Sequence, residues 1–275
     1  MPVADPLSRF AEEPDVEIPE PAPPARRFVR PRFTLSLSPA GVARVSRVRT
    51  TEAELDDTID ETRVLLRAHG AKKGTWLVGP ACRPVGLAAL LAARGFVPAA
   101  RPAFEPRFTV MALARPPLEG LPAPGVEVRL VADLDEYVRA VRAGLEAAGQ
   151  PVVHIAAMIA AAPGAWEHDA GVARLTHVAH VDGQLAGFGF VRPGPLAVLL
   201  GGGAVVGASR GRGAYRALVA SRWRAAVRMG TPALAAHAGA MSRPVLERLG
   251  FEPVCSLDVL VDTASSGITT PRPVK

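Results

Sequence analysis

Two segments of this 275-residue chain repeat each other at an offset of 160 residues. Residues 70–84 align without a gap to residues 230–244, and four of the fifteen positions are identical. These positions are Gly70/Gly230, Gly79/Gly239, Arg83/Arg243 and Pro84/Pro244. Four identities alone are compatible with chance, but each copy also continues as a predicted helix that ends in Gly-Phe-x-Pro. The shared order of elements favours a duplication, so we expect two structurally related halves.

Outside two proline-rich segments, apolar runs of strand length alternate with amphipathic runs of helix length. The predicted strands cover 33–37, 42–48, 75–78, 108–113, 126–131, 175–181, 185–191, 196–206, 233–237 and 253–261. The predicted helices cover 52–69, 84–93, 134–147, 153–161, 214–229 and 242–249. Alternation of this kind predicts an α/β (α+β) protein in which a mixed central sheet is flanked by helices.

The two proline-rich segments divide the chain. Residues 1–32 contain eight prolines and no apolar periodicity, which predicts a disordered arm. Residues 116–125 contain four prolines between two segments that each alternate strands with helices, which predicts a linker. We therefore expect an N-terminal domain over 33–115, a fuller domain over 126–264 and a short tail over 265–275.

The composition excludes several classes of protein. Hydrophobic residues make up 49% of the chain and charged residues 21%, so the chain as a whole is not of the disordered class. The longest apolar stretch, 196–208, has 13 residues, whereas a membrane span needs about 20. Residues 1–17 lack the basic-then-apolar order of a signal peptide, and Cys82 and Cys255 indicate no disulfide framework. We expect a cytoplasmic protein with no membrane partner.

The formal net charge of +6 raises the question of a nucleic-acid partner. Nearly all of the positive charge is arginine, because the only lysines are Lys72, Lys73 and Lys275. Arginine suits phosphate, although an arginine-rich composition is also typical of a GC-rich genome. The arginines are scattered through predicted helices without interleaved aromatic residues that would stack on bases. We therefore expect no nucleic-acid partner.

The strongest chemical signal is a glycine- and arginine-rich turn between the predicted strand 196–206 and the predicted helix 214–229. Its core reads Arg210-Gly211-Arg212-Gly213. Such a turn presents free backbone N–H groups and the positive end of the helix dipole, which together bind phosphate. Glycine permits close approach of a ligand because it has no Cβ. A tight turn that only starts a helix is the alternative, but it would not need arginines interleaved with glycines.

Two common nucleotide-binding motifs do not fit this turn. A dinucleotide fingerprint that starts at Gly211 would need its third glycine at Arg216, and no acidic residue follows before Glu247. A Walker loop needs a lysine after a glycine, and no lysine of the chain follows a glycine. The phosphate ligand is therefore of another kind.

The strand, the Arg-Gly-Arg-Gly turn, the helix and the later strand and helix ending in Leu249-Gly250-Phe251 resemble the GNAT superfamily of acyl-CoA-dependent N-acetyltransferases. The family signature is Arg/Gln-x-x-Gly-x-Gly/Ala. Arg210 matches its first position and Gly213 its fourth, while Tyr215 stands where a small residue is usual. The resemblance covers 126–262, and 33–115 looks like a degenerate copy that lacks the turn. It implies a GNAT-like acyl-CoA N-acyltransferase fold in a tandem arrangement, with no cofactor in the N-terminal half.

The resemblance also implies the ligands and their contacts. The cosubstrate would be acetyl-CoA, and the acceptor would be the primary amine of a small molecule or peptide. Gly203, Ala204 and Val205 would hydrogen-bond the pantetheine arm and polarise the thioester carbonyl. The pyrophosphate would be held by the turn and the start of the helix, through Arg210, Gly211, Arg212, Gly213, Ala214, Tyr215 and Arg216.

Two polar groups that this family commonly uses are missing. The position of its proton-donating tyrosine is Leu246, and that of its asparagine is Gly239. Ser242 and His237 are therefore the candidate catalytic residues. Ser242, at the start of the last predicted helix, would donate a hydrogen bond to the coenzyme sulfur or cap the helix. His237, at the end of a predicted strand, would shuttle a proton or be an ordinary strand-end histidine.

The missing groups leave a second hypothesis, a non-catalytic acyl-CoA-binding regulatory module. The acceptor pocket is expected within 134–170, which is mostly Ala, Gly and Val, so a small amine, an amino acid and a protein N-terminus all stay open. His177 and His180 are three apart on a predicted strand and face opposite sides, so we expect no metal. The oligomeric state also stays open, with a homodimer as one alternative.

Overall fold

The computed structural model describes residues 5–71, 73–100, 105–118, 123–168 and 173–264. The strands are β1 (Arg26–Val29), β2 (Thr34–Leu37), β3 (Ala43–Ser46), β4 (Gly74–Val78), β5 (Val97–Pro98), β6 (Arg107–Leu113), β7 (Val126–Leu130), β8 (Thr176–Val181), β9 (Gln184–Pro193), β10 (Val198–Val205), β11 (Leu234–Ala238) and β12 (Glu252–Val261). The helices are α1 (Pro6–Glu12), α2 (Leu55–Ala68), α3 (Leu87–Ala92), α4 (Leu134–Ala147), α5 (Val152–Ala160), α6 (Ala162–Glu167), α7 (Ala214–Arg228) and α8 (Arg243–Arg248).

All the strands join one mixed sheet. Their order is β1-β2-β3-β4-β12-β6-β11-β10-β9-β8-β7, and β5 pairs with β12 beside this path. The pairs β3–β4 and β10–β11 are parallel, and the other pairs are antiparallel. Helices α1, α2, α3, α4 and α7 pack against this sheet, whereas α5 and α6 pack on α4. A mixed sheet flanked by helices confirms the predicted fold class.

The duplication is visible in three dimensions. At the offset of 160 residues, β4 corresponds to β11 and α2 corresponds to α7. In each half a parallel pair, β3–β4 or β10–β11, is followed outward by antiparallel strands. The prediction of two related halves is thereby confirmed.

The two halves exchange strands at the centre of the sheet. Strand β6 comes from the N-terminal half, yet it pairs with β11 and β12 of the C-terminal half. Strand β12 comes from the C-terminal half, yet it pairs with β4 and β5 of the N-terminal half. The linker predicted at 116–125 therefore separates the halves in sequence but does not separate two sheets. The tail predicted at 265–275 lies outside the described residues.

The arm is part of the fold, so the prediction that residues 1–32 are disordered is wrong for residues 5–32. Pro6 lies in the first turn of α1, where a missing N–H costs nothing, and the Asp5 carboxylate caps that turn. Phe10 is 0% exposed and Ile18 is also buried, both within one apolar cluster. Prolines thus start this segment's helix, and buried apolar side chains fix it to the sheet.

Acidic residues add specific contacts between the arm and the N-terminal half. The Glu13 carboxylate accepts two hydrogen bonds from the Arg49 guanidinium, at 3.0 and 2.6 Å. Glu12 Oε1 accepts the backbone N–H of Ala81 at 2.7 Å. Burial raises the pKa of Glu12, and the neighbouring charge of Glu13 raises it further, because both disfavour the ionised carboxylate.

Short elements account for the other differences from the predicted pattern. The pattern does not predict β1, β5 or α6, which have four, two and six residues. Helix α3 begins at Leu87 instead of residue 84, because Gly86 adopts a left-handed conformation with φ 79°. None of the helices in the described part combines the length and apolar character that a membrane-spanning helix requires.

Candidate functional site

A cleft opens where β10 and β11 separate. These parallel strands pair at two positions, Val198 with Leu234 and Leu199 with Ala235. Beyond them, up to Val205, β9 is the only described strand that pairs with β10. The cleft has a volume of about 530 Å³. Its lining residues are Ala147, Ala148, Gly203, Ala204, Val205, Ser209, Arg210, Gly211, Gly213, Ala214, Tyr215, Arg216, Met241, Ser242, Val245 and Arg248.

One wall of the cleft is a β-bulge in β10. Gly201 lies opposite Phe190 and Ala204 lies opposite Phe188, so β10 has one residue more than β9 between these pairs. A Cβ at Gly201 would lie 2.1 Å from the Phe190 ring, and Gly202 has φ 62°. The glycine run is therefore required by the bulge, which interrupts the ladder with β9 beside the cleft.

The backbone of Val205 faces the cleft. The next residue, Val206, donates its N–H to the carbonyl of Ala186 in β9. Because successive residues of a strand point their backbone groups to opposite edges, the N–H and carbonyl of Val205 point to the other side. Its carbonyl accepts a hydrogen bond from Arg210 Nε at 3.4 Å, which is consistent with that direction.

The turn between β10 and α7 presents backbone N–H groups. A 3₁₀ turn at Gly207–Ser209 leads into Arg210, and Gly211 and Gly213 adopt left-handed conformations with φ 76° and 85°. Gly213 is the N-cap of α7, with no side chain capping the helix and no acidic residue in its first turn. The first N–H groups of a 15-residue helix are therefore available to an anion.

The charged groups of the cleft are all cationic. Arg210, Arg216 and Arg248 line it from the turn, α7 and α8, and no carboxylate is among the described lining residues. Arg212, which sequence reasoning also assigned to the cofactor, does not line the cleft. Its Nη2 donates instead to Asp182 Oδ2 at 2.9 Å. The cleft thus fits a multiply charged anion, with Arg212 outside it.

Helix α8 and the two residues before it line part of the cleft, through Met241, Ser242, Val245 and Arg248. Sequence reasoning named Ser242 and missed the other three. Val245 and Arg248 follow Ser242 at intervals of three residues, so this helical periodicity is the signal that would have identified them.

The two candidate catalytic residues lie in different places. Ser242 lines the cleft, and its hydroxyl donates to the carbonyl of Gly239 at 3.3 Å instead of capping α8. His237 is not among the lining residues; its Nε2 donates to the carbonyl of Ala11 in α1 at 2.9 Å. Burial lowers the pKa of His237. Contrary to expectation, His237 is therefore not placed to protonate a ligand in the cleft.

The remaining candidate for an acid is a phenol from α7. Leu246, at the family's tyrosine position, is 1% exposed in the core, and its neighbour Val245 faces the cleft. Tyr215 lines the cleft next to the bulge, where a Cβ at Gly203 would lie 3.0 Å from its ring. Burial raises the pKa of Tyr215, and the charge of Arg222 opposes that shift.

Solved structures share this architecture, although no protein-family model and no curated protein matches the sequence. A GCN5-related N-acetyltransferase from Kribbella flavida superposes with a TM-score of 0.69 at 17% identity, over 95% of this chain and 97% of the other. A tandem GNAT protein from the clavulanic acid biosynthesis pathway has a TM-score of 0.59 at 21% identity, over 94% and 89%. A putative acetyltransferase of the GNAT family from Novosphingobium aromaticivorans has a TM-score of 0.51 at 16% identity, over 95% and 97%. The chain therefore has the fold of the GCN5-related N-acetyltransferases, in a tandem arrangement.

Proposed function

We propose that the protein is an N-acyltransferase that transfers an acetyl group from acetyl-CoA to a primary amine. The observation that carries the proposal is a single cleft that combines a bulged strand edge with a glycine turn at the start of α7. The strand edge suits the amide-bearing pantetheine arm, and the turn suits the pyrophosphate. The N-acetyltransferases among the structural neighbours have the same fold.

Each part of the cleft has a role in this proposal. Within the segment Gly203 to Val205, the backbone groups of Val205, which point away from β9, would hydrogen-bond the pantetheine arm and stabilise the oxyanion that forms when the amine attacks the thioester carbonyl. By the same alternation the backbone groups of Ala204 point toward β9. The N–H groups of Gly211 to Arg216 would hold the pyrophosphate. Arg210, Arg216 and Arg248 would neutralise its charge, since arginine forks match phosphate oxygens.

A non-catalytic acyl-CoA-binding module is the second candidate. It is favoured by the last helix, where the buried Leu246 occupies the family's tyrosine position and Val245 lines the cleft instead. The same cleft would then bind acyl-CoA without turnover.

Calorimetry with acetyl-CoA tests the binding step. Gly213→Glu places a carboxylate inside the turn and should abolish binding by steric exclusion and repulsion. Gly230→Glu is the matched control, because Gly230 lies just beyond the other end of α7 with a similar φ of 77° and open space around it. It suffers the same backbone strain far from the turn and should bind as the wild type does. Equal affinities for the two variants would refute the assignment of the cleft.

Release of free coenzyme A over a broad panel of amines tests the chemical step. Turnover on any amine, lost in Gly213→Glu, supports the transferase. Tight binding of acetyl-CoA with no release on any amine favours the regulatory module.

A further inference from the structure

A buried cation lies under the bulge of β10. Arg222 of α7 is 1% exposed. Its Nε donates to the carbonyl of Leu218 at 3.1 Å and its Nη1 to that of Gly201 at 3.5 Å. Among the described residues no group meets its Nη2 in hydrogen-bond geometry, and the titratable group that acts on the guanidinium is the phenol of Tyr215, not a carboxylate. A buried charge without a counter-ion is costly, so its presence at this position points to a function.

The guanidinium and the phenol approach the same residue, Gly203, which lines the cleft together with Tyr215. A Cβ at Gly203 would lie 3.6 Å from Arg222 Nη2 and 3.7 Å from Tyr215 Cζ, the carbon that bears the hydroxyl. On the next strand, a Cβ at Gly189 would lie 2.8 Å from Arg222 Nη1. Because both positions are glycine, they leave the space that the guanidinium occupies. Nη2 of Arg222 and the phenol therefore adjoin the same bulge residue.

Arg222 is charged because a guanidinium group does not deprotonate in proteins, and burial favours the protonated form of Tyr215. Burial lowers the pKa of Arg222, but the phenol counteracts this. Burial raises the pKa of Tyr215, and Arg222 is the charged group that opposes it. His177 also lies near Arg222, and burial together with the neighbouring arginines lowers its pKa to about 3, so it stays neutral. The site therefore holds one positive charge next to one neutral phenol.

The other polar side chains of the cleft are poorer proton donors. They are Ser209, Arg210, Arg216, Ser242 and Arg248. Guanidinium groups do not deprotonate in proteins, and the serine hydroxyl is a far weaker acid than phenol. The hydroxyl of Ser242 is also engaged with the carbonyl of Gly239. Tyr215 is the group whose acidity is nearest to that of a thiol.

We propose that Tyr215 donates the proton to the departing coenzyme A sulfur and that Arg222 is the positioning residue that orients its hydroxyl and stabilises its phenolate. The proposal rests on the proposed function. The amine lone pair forms the C–N bond, the C–S bond breaks, and sulfur keeps the electron pair. Sulfur takes the phenolic proton and leaves as a thiol. The phenolate beside Arg222 then regains the proton that the new amide nitrogen releases, so the products are the amide and free coenzyme A.

Ligand affinity tests the contact with sulfur without a known acceptor. The wild type should bind coenzyme A about 2- to 10-fold more tightly than desulfo-coenzyme A, the range that one hydrogen bond supplies. Tyr215→Phe should reduce this ratio to about 1 (the loss of that one bond), and Tyr137→Phe, at the chain's only other tyrosine, should preserve it. An unchanged ratio in Tyr215→Phe would overturn the proposal. Failure of both ligands to bind the wild type would instead refute the proposed function itself.

Phenolate absorbance tests the role of Arg222. In a Tyr137→Phe background Tyr215 is the single phenol, so alkaline titration reports its pKa directly. Arg222→Met should raise that pKa by about 1 unit or more, and Arg222→Lys should restore most of the difference. A pKa that is unchanged in folded Arg222→Met would contradict the positioning role. If Arg222→Met does not fold, the ligand-affinity ratio of Tyr215→Phe decides the proposal alone.

Discussion

Replacing Phe10 with alanine tests whether the proline-rich arm is an integral part of the fold. The side chain is 0% exposed within the cluster that includes Val110 and Leu257, and its ring fills the space above Gly194. Removing a fully buried aromatic side chain loses its transfer free energy and leaves a cavity, together about 3–5 kcal/mol. For a protein of this size about 1 kcal/mol corresponds to a few degrees, so the Tm should fall by about 10 °C.

Urea denaturation followed by circular dichroism measures the change in the free energy of unfolding. Val29→Ala is the control in the same arm, because Val29 is 53% exposed, and it should cost less than about 0.5 kcal/mol. A loss below about 1 kcal/mol for Phe10→Ala would mean that the side chain contributes little to the core. The argument that the arm is held by apolar burial would then be refuted.

Three further predictions concern charge. Burial lowers the pKa of His177 to about 3, below the value of about 6.5 in an unfolded chain. The unfolded state therefore binds the extra proton, and the free energy of unfolding should fall as the pH drops below about 6.5. Denaturation at pH 7.5 and 5.5 should show a smaller difference in the free energy of unfolding for His177→Gln than for the wild type. Burial raises the pKa of Asp15, but the charges of Arg44 and Arg192 and the hydrogen bond from Ser46 together bring the pKa below its usual value of 3.8. The advantage of the wild type over Asp15→Asn in Tm should therefore be present at pH 7 and shrink as the pH falls below 3.8, whereas equal Tm values at pH 7 would contradict this. Arg210→Gln should weaken acetyl-CoA about tenfold or more, while Arg212→Gln, whose partner is Asp182, should change it less than about twofold by calorimetry.

Features set by neighbouring residues in the chain could be predicted from the sequence. The glycine turn before α7 follows an apolar strand and precedes an amphipathic helix, so three local patterns agree on its position. The apolar face of α7 was also predictable, since Leu218, Val219 and Ala226 are all buried at helical spacing.

Features set by distant parts of the chain could not be predicted in this way. Helical periodicity places Arg222 on the same buried face as Leu218 and Ala226. It does not indicate that a charged side chain fits there, because the space comes from two glycines, Gly189 on β9 and Gly203 on β10. Similarly, the proline content of the arm predicts disorder, whereas Phe10 is buried against residues of β6 and β12 that lie far away in the sequence. The alternation of β6 identifies it as a strand, but the partner of a strand depends on the whole topology.

Because the two halves exchange strands, the N-terminal half has a structural role in the sheet that does not depend on ligand binding. A fragment that begins at residue 126 would lack β6, and β11 would keep only its short pairing with β10. Its exposed strand edges would promote aggregation. Without the N-terminal half, the strands beside the cleft would therefore have unpaired edges. We expect the N-terminal half to act as a scaffold, because its β6 pairs with the edge that β11 would otherwise expose.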